Sequence, residues 1–396
     1  MRISTSTLID MGINNILTQQ SALARVNQQI SDGKRMQTAA DDPSGWAQSL
    51  SLNQGVADLS RYQTNINTTR QRLNLEESTL SASSDLIARV RELAVQANGV
   101  QSSLSQKAIA AELIQLKQQL MSYANTRDAG GNYVLAGSNS GTAAFSSING
   151  NVAYNGDQNQ RLLEIGPGRS IADGDSGDAV FMANQSGNGT FQVNAPATNT
   201  GTAQLKASDV TDSSLWDGGN YTLSFNAGNY QVTDSSNAVV ASGAYSSGSG
   251  VRFRGIELTV SGQPADGDQM SIGPARQKDV FAMLDNLISL VQNPSTTSAQ
   301  RAQFQTTMYT VQSELSTAFD TMNNVRSSVG ARLSALDDAE NGLNAQTVAL
   351  KTSLSNVEDL DIAQASGELN KRSVLLQAAQ MAYSKVQGLS LFQYLK

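Results

Sequence analysis

The chain has 396 residues, 39% of them apolar and 15% charged, enough for two or three domains with cores of their own. Its 27 basic and 34 acidic residues leave a net charge of −7, and residues 138 to 275 carry all of it, with five basic residues against twelve acidic ones; there is no basic face for nucleic acid. With no cysteine and no histidine, disulfides, thiolate chemistry, ordinary zinc sites, Ser-His-Asp triads and imidazole acid–base catalysis are excluded, and neither catalytic activity nor a cofactor or metal is expected.

The first residues, Met1-Arg2-Ile3-Ser4-Thr5, lead into a polar amphipathic stretch without the apolar core of a cleavable secretory signal. No run reaches the roughly 18 apolar residues of a membrane span, so membrane insertion is not expected. Export by a route that reads no signal peptide is compatible with both facts, and the lack of cysteine suits a protein that travels unfolded. Ile9, Ile13, Ile16, Leu23 and Ile30 mark a first helical stripe, with Gln20 and Asn27 on it. A seam so narrow and so rich in amides is marginal for an isolated helix in water.

Asp41-Asp42-Pro43-Ser44 reads as a helix start, with Asp and Ser able to cap exposed amides, and Trp46 as an anchor that packs this linker on the next element. Leu52, Leu59, Ile66, Leu73, Leu80, Ile87 and Ala94 then recur every seven residues, one stripe on one long helix. Ile109, Leu113, Leu116, Leu120 and Tyr123 predict a further helix.

At about Gly130 the composition changes to Gly, Ser, Asn, Asp and β-branched residues. Tyr133 to Leu135, Arg161 to Ile165, Tyr221 to Phe225, Tyr230 to Thr233, Ala238 to Ser242 and Ile256 to Val260 predict short strands. Phe225 to Tyr230 reads as a hairpin with a four-residue loop. The run Asp173-Gly174-Asp175-Ser176-Gly177-Asp178 has calcium-like spacing, but the twelfth position is Asn184 rather than glutamate; a hairpin turn is the expectation. Trp216, Tyr221 and Tyr230 are read as core, with an aromatic binding surface as the alternative.

Val280, Phe281, Leu284, Leu287, Ile288 and Val291 predict another helix. Phe304, Met308, Val311, Leu315, Ala318, Met322, Val325, Val329, Leu336, Ala339, Leu343, Leu350 and Val357 follow a 4,3 spacing. Arg332, Gln346 and Ser353 interrupt that stripe at core-type positions, where they would fix register or face a neighbouring subunit. Leu376, Ala379, Tyr383 and Val386 mark a last helix. All six prolines fall outside the heptads.

The expected fold is therefore α+β: an elongated long-helix bundle formed by the N- and C-terminal flanks, with an inserted all-β outer domain. The expected division is 1–45 with 356–396 as terminal helices, disordered in the free monomer; 46–187 with 273–355 as a helical rod domain carrying packed hairpins; and 188–272 as the inserted β domain.

Several segments resemble the bacterial flagellin and hook-associated protein superfamily. Ile30-Ser31-Asp32-Gly33-Lys34-Arg35 followed by Ala39-Ala40-Asp41-Asp42-Pro43 looks like its (L/I)S(S/T)GKR…ADDP signature, and Val90-Arg91-Glu92-Leu93-Ala94-Val95-Gln96-Ala97-Asn98-Gly99 resembles the end of its first bundle helix. Val357-Glu358-Asp359-Leu360-Asp361-Ile362-Ala363 fits the whole superfamily. The opening Met1-Arg2-Ile3-Ser4, the Asn132 to Gly137 segment and the ending Leu389 to Leu395 are closer to the hook-associated branch than to flagellin. Residues 188 to 272 carry no motif of the family.

The resemblance implies an axial flagellar subunit, passed by an export chaperone to the type III export apparatus and assembled outside the cell. It would self-associate in a ring between hook-associated protein 1 and the first flagellin subunits. Ile9, Ile13, Ile16, Leu23, Ile30, Leu376, Ala379, Tyr383, Val386, Leu391 and Phe392 are the expected assembly interface. A flagellin filament subunit and a secreted binding protein on a flagellin-like scaffold are the alternatives.

Overall fold

The computed structural model describes residues 5–99, 102–148, 150–293 and 295–392; of residues 5, 6, 8, 386 and 388–392 it describes the backbone. In chain order these form α1 (Thr5–Asp32), α2 (Pro43–Gly99) and α3 (Ser103–Ala124), then β1 (Phe145–Ile148), β2 (Asn151–Tyr154), β3 (Leu162–Gly166) and β4 (Arg169–Ala172). A π-helical turn (Asp178–Met182) precedes β5 (Asn184–Gln185), β6 (Phe191–Asn194), β7 (Gln204–Val210), β8 (Tyr221–Asn226), β9 (Asn229–Asp234), β10 (Val239–Ala244), β11 (Gly250–Phe253), β12 (Ile256–Ser261), β13 (Gln269–Pro274) and β14 (Gln277–Lys278). The chain ends in α4 (Val280–Gln292), α5 (Ser298–Glu358) and α6 (Ile362–Phe392). Two compact units emerge: the described residues up to Thr64 with those from Ala339 on, and Asn65–Asp338.

The long helices start where their sequences provide caps. Asp42 Oδ1 accepts from Gly45 N at 3.0 Å, with Pro43 at the first helical position of α2. At α5 the box is reciprocal: Gln300 N donates to Thr297 Oγ1 at 3.1 Å and Thr297 N donates to Gln300 Oε1 at 3.1 Å. Asp279 accepts from Ala282 N at α4, and Asp361 from Gln364 N at α6.

In the larger unit the predicted stripes are the core. Ile66, Leu73, Leu80, Ile87 and Ala94 of α2 are fully buried, as are Met308, Leu315, Ala318, Met322, Val329 and Leu336 of α5. The two helices run antiparallel there, as Arg70 with Asp337, Arg326 with Glu77 and Arg91 over Phe319 show. Phe145, Phe181 and Phe281 cluster beneath the hairpins, their ring centroids 5.6 to 5.9 Å apart.

Three local expectations change. Tyr133 to Leu135 makes single bridges, Arg127 to Tyr133 and Ala136 to Ser176, instead of a strand, because Val134 and Leu135 are buried and the backbone bonds scatter to Thr126, Ser140 and Gly177. The Asp173–Asp178 run closes no hairpin: Asp173 and Asp175 are held by Arg72, Arg161 and Arg332. Arg332 thus spends its core-type position on this ion pair, whereas Gln346 and Ser353 are exposed. The Phe225–Tyr230 hairpin has a two-residue loop: pairing continues to Asn226 and Asn229, and Ala227 and Gly228 both take positive φ, 49° and 74°, the turn that suits strand twist.

Phe191 to Pro274 is a sandwich of a five-stranded sheet, order β10-β9-β8-β13-β6, and a three-stranded one, order β11-β12-β7. Alternate residues point inward, Tyr221, Leu223 and Phe225 from β8 meeting Ile256, Leu258 and Val260 from β12. Trp216 and Tyr221 are packed into this core with Phe191 and Phe253, and Tyr230 lies against it. The edge strands β7 and β6 are capped by side chains of α5. Leu205 N donates to Thr306 Oγ1 at 3.0 Å, Ser208 N to Tyr309 OH at 2.9 Å, and Thr310 Oγ1 to Val193 O at 3.5 Å, so edges that would invite another strand are satisfied within the chain.

Tyr309→Phe and Thr306→Val each strand a backbone N–H and are expected to lower stability by about 1–2 kcal/mol. Denaturant unfolding of the full chain checks this; an unchanged midpoint in both variants would contradict the edge-capping role.

Candidate assembly interface

In the smaller unit the two ends of the chain meet. Gly33 follows α1 with φ of +67°, a conformation that ends a helix at little cost only in glycine. Its carbonyl accepts from Leu360 N at 3.0 Å, and Arg35 N donates to Glu358 O at 2.7 Å. Arg35 Nη2 donates to Val357 O at 3.1 Å and pairs with Asp42 at 3.1 Å, while Lys34 Nζ reaches Glu358 at 3.0 Å. Asp41 turns the linker by accepting from Gln37 N and Thr38 N. Lys34 and Arg35 therefore make the clasp between the two flanks, Asp42 holds Arg35 in place for it, and Asp41 fixes the linker turn.

The linker's anchor is Met36, only 4% exposed, rather than Trp46, which is 40% exposed. Trp46, Ser49, Leu50 and Asn53 of α2 line a cleft of about 570 Å³ together with Glu358. Glu358 accepts from Ser49 and from Asn53 Nδ2 at 3.1 Å. The Ser49 hydroxyl and then Lys34 hold the Glu358 carboxyl below its ordinary value of 4.5, and the Gly45 amide and the Ser44 hydroxyl lower Asp42 below 3.8.

Beyond the clasp α1 and α6 run antiparallel. Arg372 Nη1 donates to Gln19 Oε1 at 3.3 Å, and Gly12 lies so close to the Tyr383 ring that a Cβ would come within 3.0 Å of it. Ile9, Ile16, Leu23 and Ile30 are half-buried, as are Leu376, Ala379 and Tyr383, while Ile13 is 40% exposed. Val386, Leu391 and Phe392 belong to the last turns of α6, and their side chains lie outside the described residues.

The apolar side chains left facing out are Ile13 with Met11 and Leu17 on α1, and Ile362, Val374, Leu375 and Met381 on α6. Val374 and Met381 are seven residues apart on the face of α6 turned away from Leu376 and Tyr383. That spacing was the available signal, overshadowed by the stronger inner stripe. Among the described residues no group of three or more acidic side chains is placed to hold a metal ion. No helix among them is long and apolar enough to cross a membrane.

Because the folded Glu358 titrates below its unfolded value, the stability it adds is present above about pH 4.5 and is lost as pH falls through the lower folded value. Hydrogen exchange is expected to show α6 losing protection below pH 4.5 in the native protein. Glu358→Gln should show weaker protection at pH 7 and a flatter acid response; an identical acid profile in the variant would contradict the clasp.

The comparisons agree with this geometry. Residues 3–140 match the bacterial flagellin N-terminal helical region and residues 313–395 the C-terminal helical region. Residues 194–274, which carried no recognisable motif, match the D2-like domain of flagellar hook-associated protein 1. Flagellar hook-associated protein 3 of Escherichia coli is 25% identical over 398 residues, covering 100% of both chains. The crystal structure of Xanthomonas campestris FlgL is similar with 38% identity and a TM-score of 0.73, covering 77% of this chain and 99% of that one. Hook-associated protein 3 of Legionella pneumophila is similar with 31% identity and a TM-score of 0.75, covering 77% and 98%. The two helical flanks, the clasp motif that joins them and the inserted sandwich place this chain in the flagellar hook-associated protein 3 (FlgL) family of the bacterial flagellin superfamily.

Proposed function

We propose that the chain forms a ring that joins the hook, through hook-associated protein 1, to the flagellin filament. It leaves the cell unfolded through the type III export apparatus with its chaperone, and it works outside the cell as a mechanical adaptor with no catalytic role. The observation that carries this reading is the α1–α6 pair. The clasp sets both terminal helices side by side, and Met11, Leu17, Val374 and Met381 remain exposed on them. Apolar side chains at these positions suit the coiled-coil packing of neighbouring subunits. In the free monomer the pair has only its narrow inner seam beside the clasp, so residues 5–45 and 356–392 are marginally stable there and gain their full stability on assembly.

The solved structure of the Legionella pneumophila relative is described as that of a flagellar junction protein, which supports a junction role over a filament one. The test is electron microscopy of hook fragments bearing hook-associated protein 1, incubated with the purified protein and then with flagellin. The protein is expected to add only at hook ends and to license filament growth; long filaments from the protein alone would instead mean a flagellin.

Val374→Asp and Met381→Asp alter side chains that are exposed in the monomer, so circular dichroism should be unchanged. A charge buried in the assembly costs several kcal/mol, and addition to hook ends should fall by about a hundredfold or more. Normal addition by both variants would exclude this face from the joint.

A further inference from the structure

Inside the larger unit the fully buried carboxyl of Glu76, on α2, forms no salt bridge of its own. Its Oε1 accepts from Asp175 N at 2.9 Å, and its Oε2 has no hydrogen-bond partner. The charged groups around it come from every element packed there. Arg72 lies one turn away on α2, Asp128 on the connection after α3, Arg161 just before β3, Asp173 and Asp175 on the segment after β4, and Arg332 on α5.

The three arginines are already spent. Arg72 lies 2.5 Å from Asp128 and 3.0 Å from Asp173, Arg161 also pairs with Asp173, and Arg332 pairs with Asp175. Three guanidinium groups thus balance three aspartates, and Glu76 is the fourth acid. An unpaired carboxylate in a buried site costs several kcal/mol, and the ordinary escape is to keep its proton. Burial, and then the Asp175 carboxylate beside it, push the Glu76 carboxyl up to about 8.

We propose that Glu76 is a pH-released latch: a neutral carboxyl that holds the Asp173–Asp178 segment down on α2 and α5, and whose ionisation frees that segment. Deprotonation sets a second negative charge against Asp175, whose one arginine is taken. Lifting the segment, with the Asp175 amide that Glu76 holds, relieves the repulsion by admitting water. The π-helical turn that follows carries Val180 and Phe181, both fully buried, so release of the segment reaches the aromatic cluster under the hairpins.

The sign follows from the raised folded value. Below about pH 4.5 Glu76 is neutral whether folded or not; between there and about 8 the fold must take up a proton, and stability falls as pH rises, levelling off above 8. The chain has no histidine and no cysteine, so no other side chain of ordinary pKa titrates between pH 6 and 8. A proton-linked change in that window that Glu76→Gln abolishes reports on this group.

The experiment is hydrogen exchange by mass spectrometry on the full chain from pH 6 to 9, corrected for intrinsic rates, following residues 173–182 against α3. In the native protein protection of 173–182 should fall by roughly tenfold per pH unit between pH 6 and 8 and level off between 8 and 9, while α3 holds. Glu76→Gln, equal in shape and unable to ionise, should keep its protection throughout. Protection independent of pH in the native protein, or the same loss in Glu76→Gln, overturns the latch. Should the variant fail to fold, the native protein decides alone: its denaturant midpoint must fall from pH 6 to 8, and a flat or rising midpoint overturns the proposal.

Discussion

Two backbone hydrogen bonds, Arg35 N to Glu358 O and Leu360 N to Gly33 O, tie together residues that are more than three hundred positions apart. Closing so long a loop costs on the order of 5 kcal/mol in chain entropy. Two such bonds, at about 1 kcal/mol each, do not offset that. The clasp is sustained because the buried stripes of α2 and α5 hold the two helices together. In the smaller unit Gln63 reaches Glu340, and Gly55 lies 3.1 Å from Leu350 when given a Cβ. The apolar zipper meets the entropic cost, and the clasp converts the return of the chain into a fixed placement of α1 against α6.

The same division of labour explains the inserted sandwich. Its core is its own, made of alternating residues on β8, β12 and β13. Its mounting is polar and local, through Thr306, Tyr309 and Thr310 on one stretch of α5, with Gln303 bonding the carbonyls of Ala197 and Asn199. A sheet edge capped by helix side chains leaves the sandwich free to differ in surface without disturbing the stripe beneath, since Met308 and Val311 face the other way, fully or almost fully buried.

The helices were legible because one physical rule, an apolar residue every seven positions, sufficed to place them, and the caps at Asp42 and Thr297 lie within three residues of the groups they bond. The strands at Arg161, Tyr221, Tyr230 and Ile256 were legible by alternation. What escaped depended on distant partners. Arg72 and Glu76 sit beside Leu73 in sequence and look like a solvated flank; only the folded chain brings Asp128, Asp173 and Asp175 against them. Trp46 looked like an anchor by its size, but Met36, flexible and nearer the turn, fills that place. At the termini the inner stripe was visible and the outward one was not. Which face of α1 stays open is decided by where α6 lies, and that is set at the clasp, far from either stripe.

In the proposed junction role, the outward face of the terminal pair is covered when the protein joins its neighbours. The chain has no cysteine, so Met381→Cys places a single thiol on that face. Its rate of maleimide labelling should be fast in the free protein and strongly reduced once the protein is added to hook ends bearing hook-associated protein 1. Equal labelling rates in the free and assembled protein would contradict it.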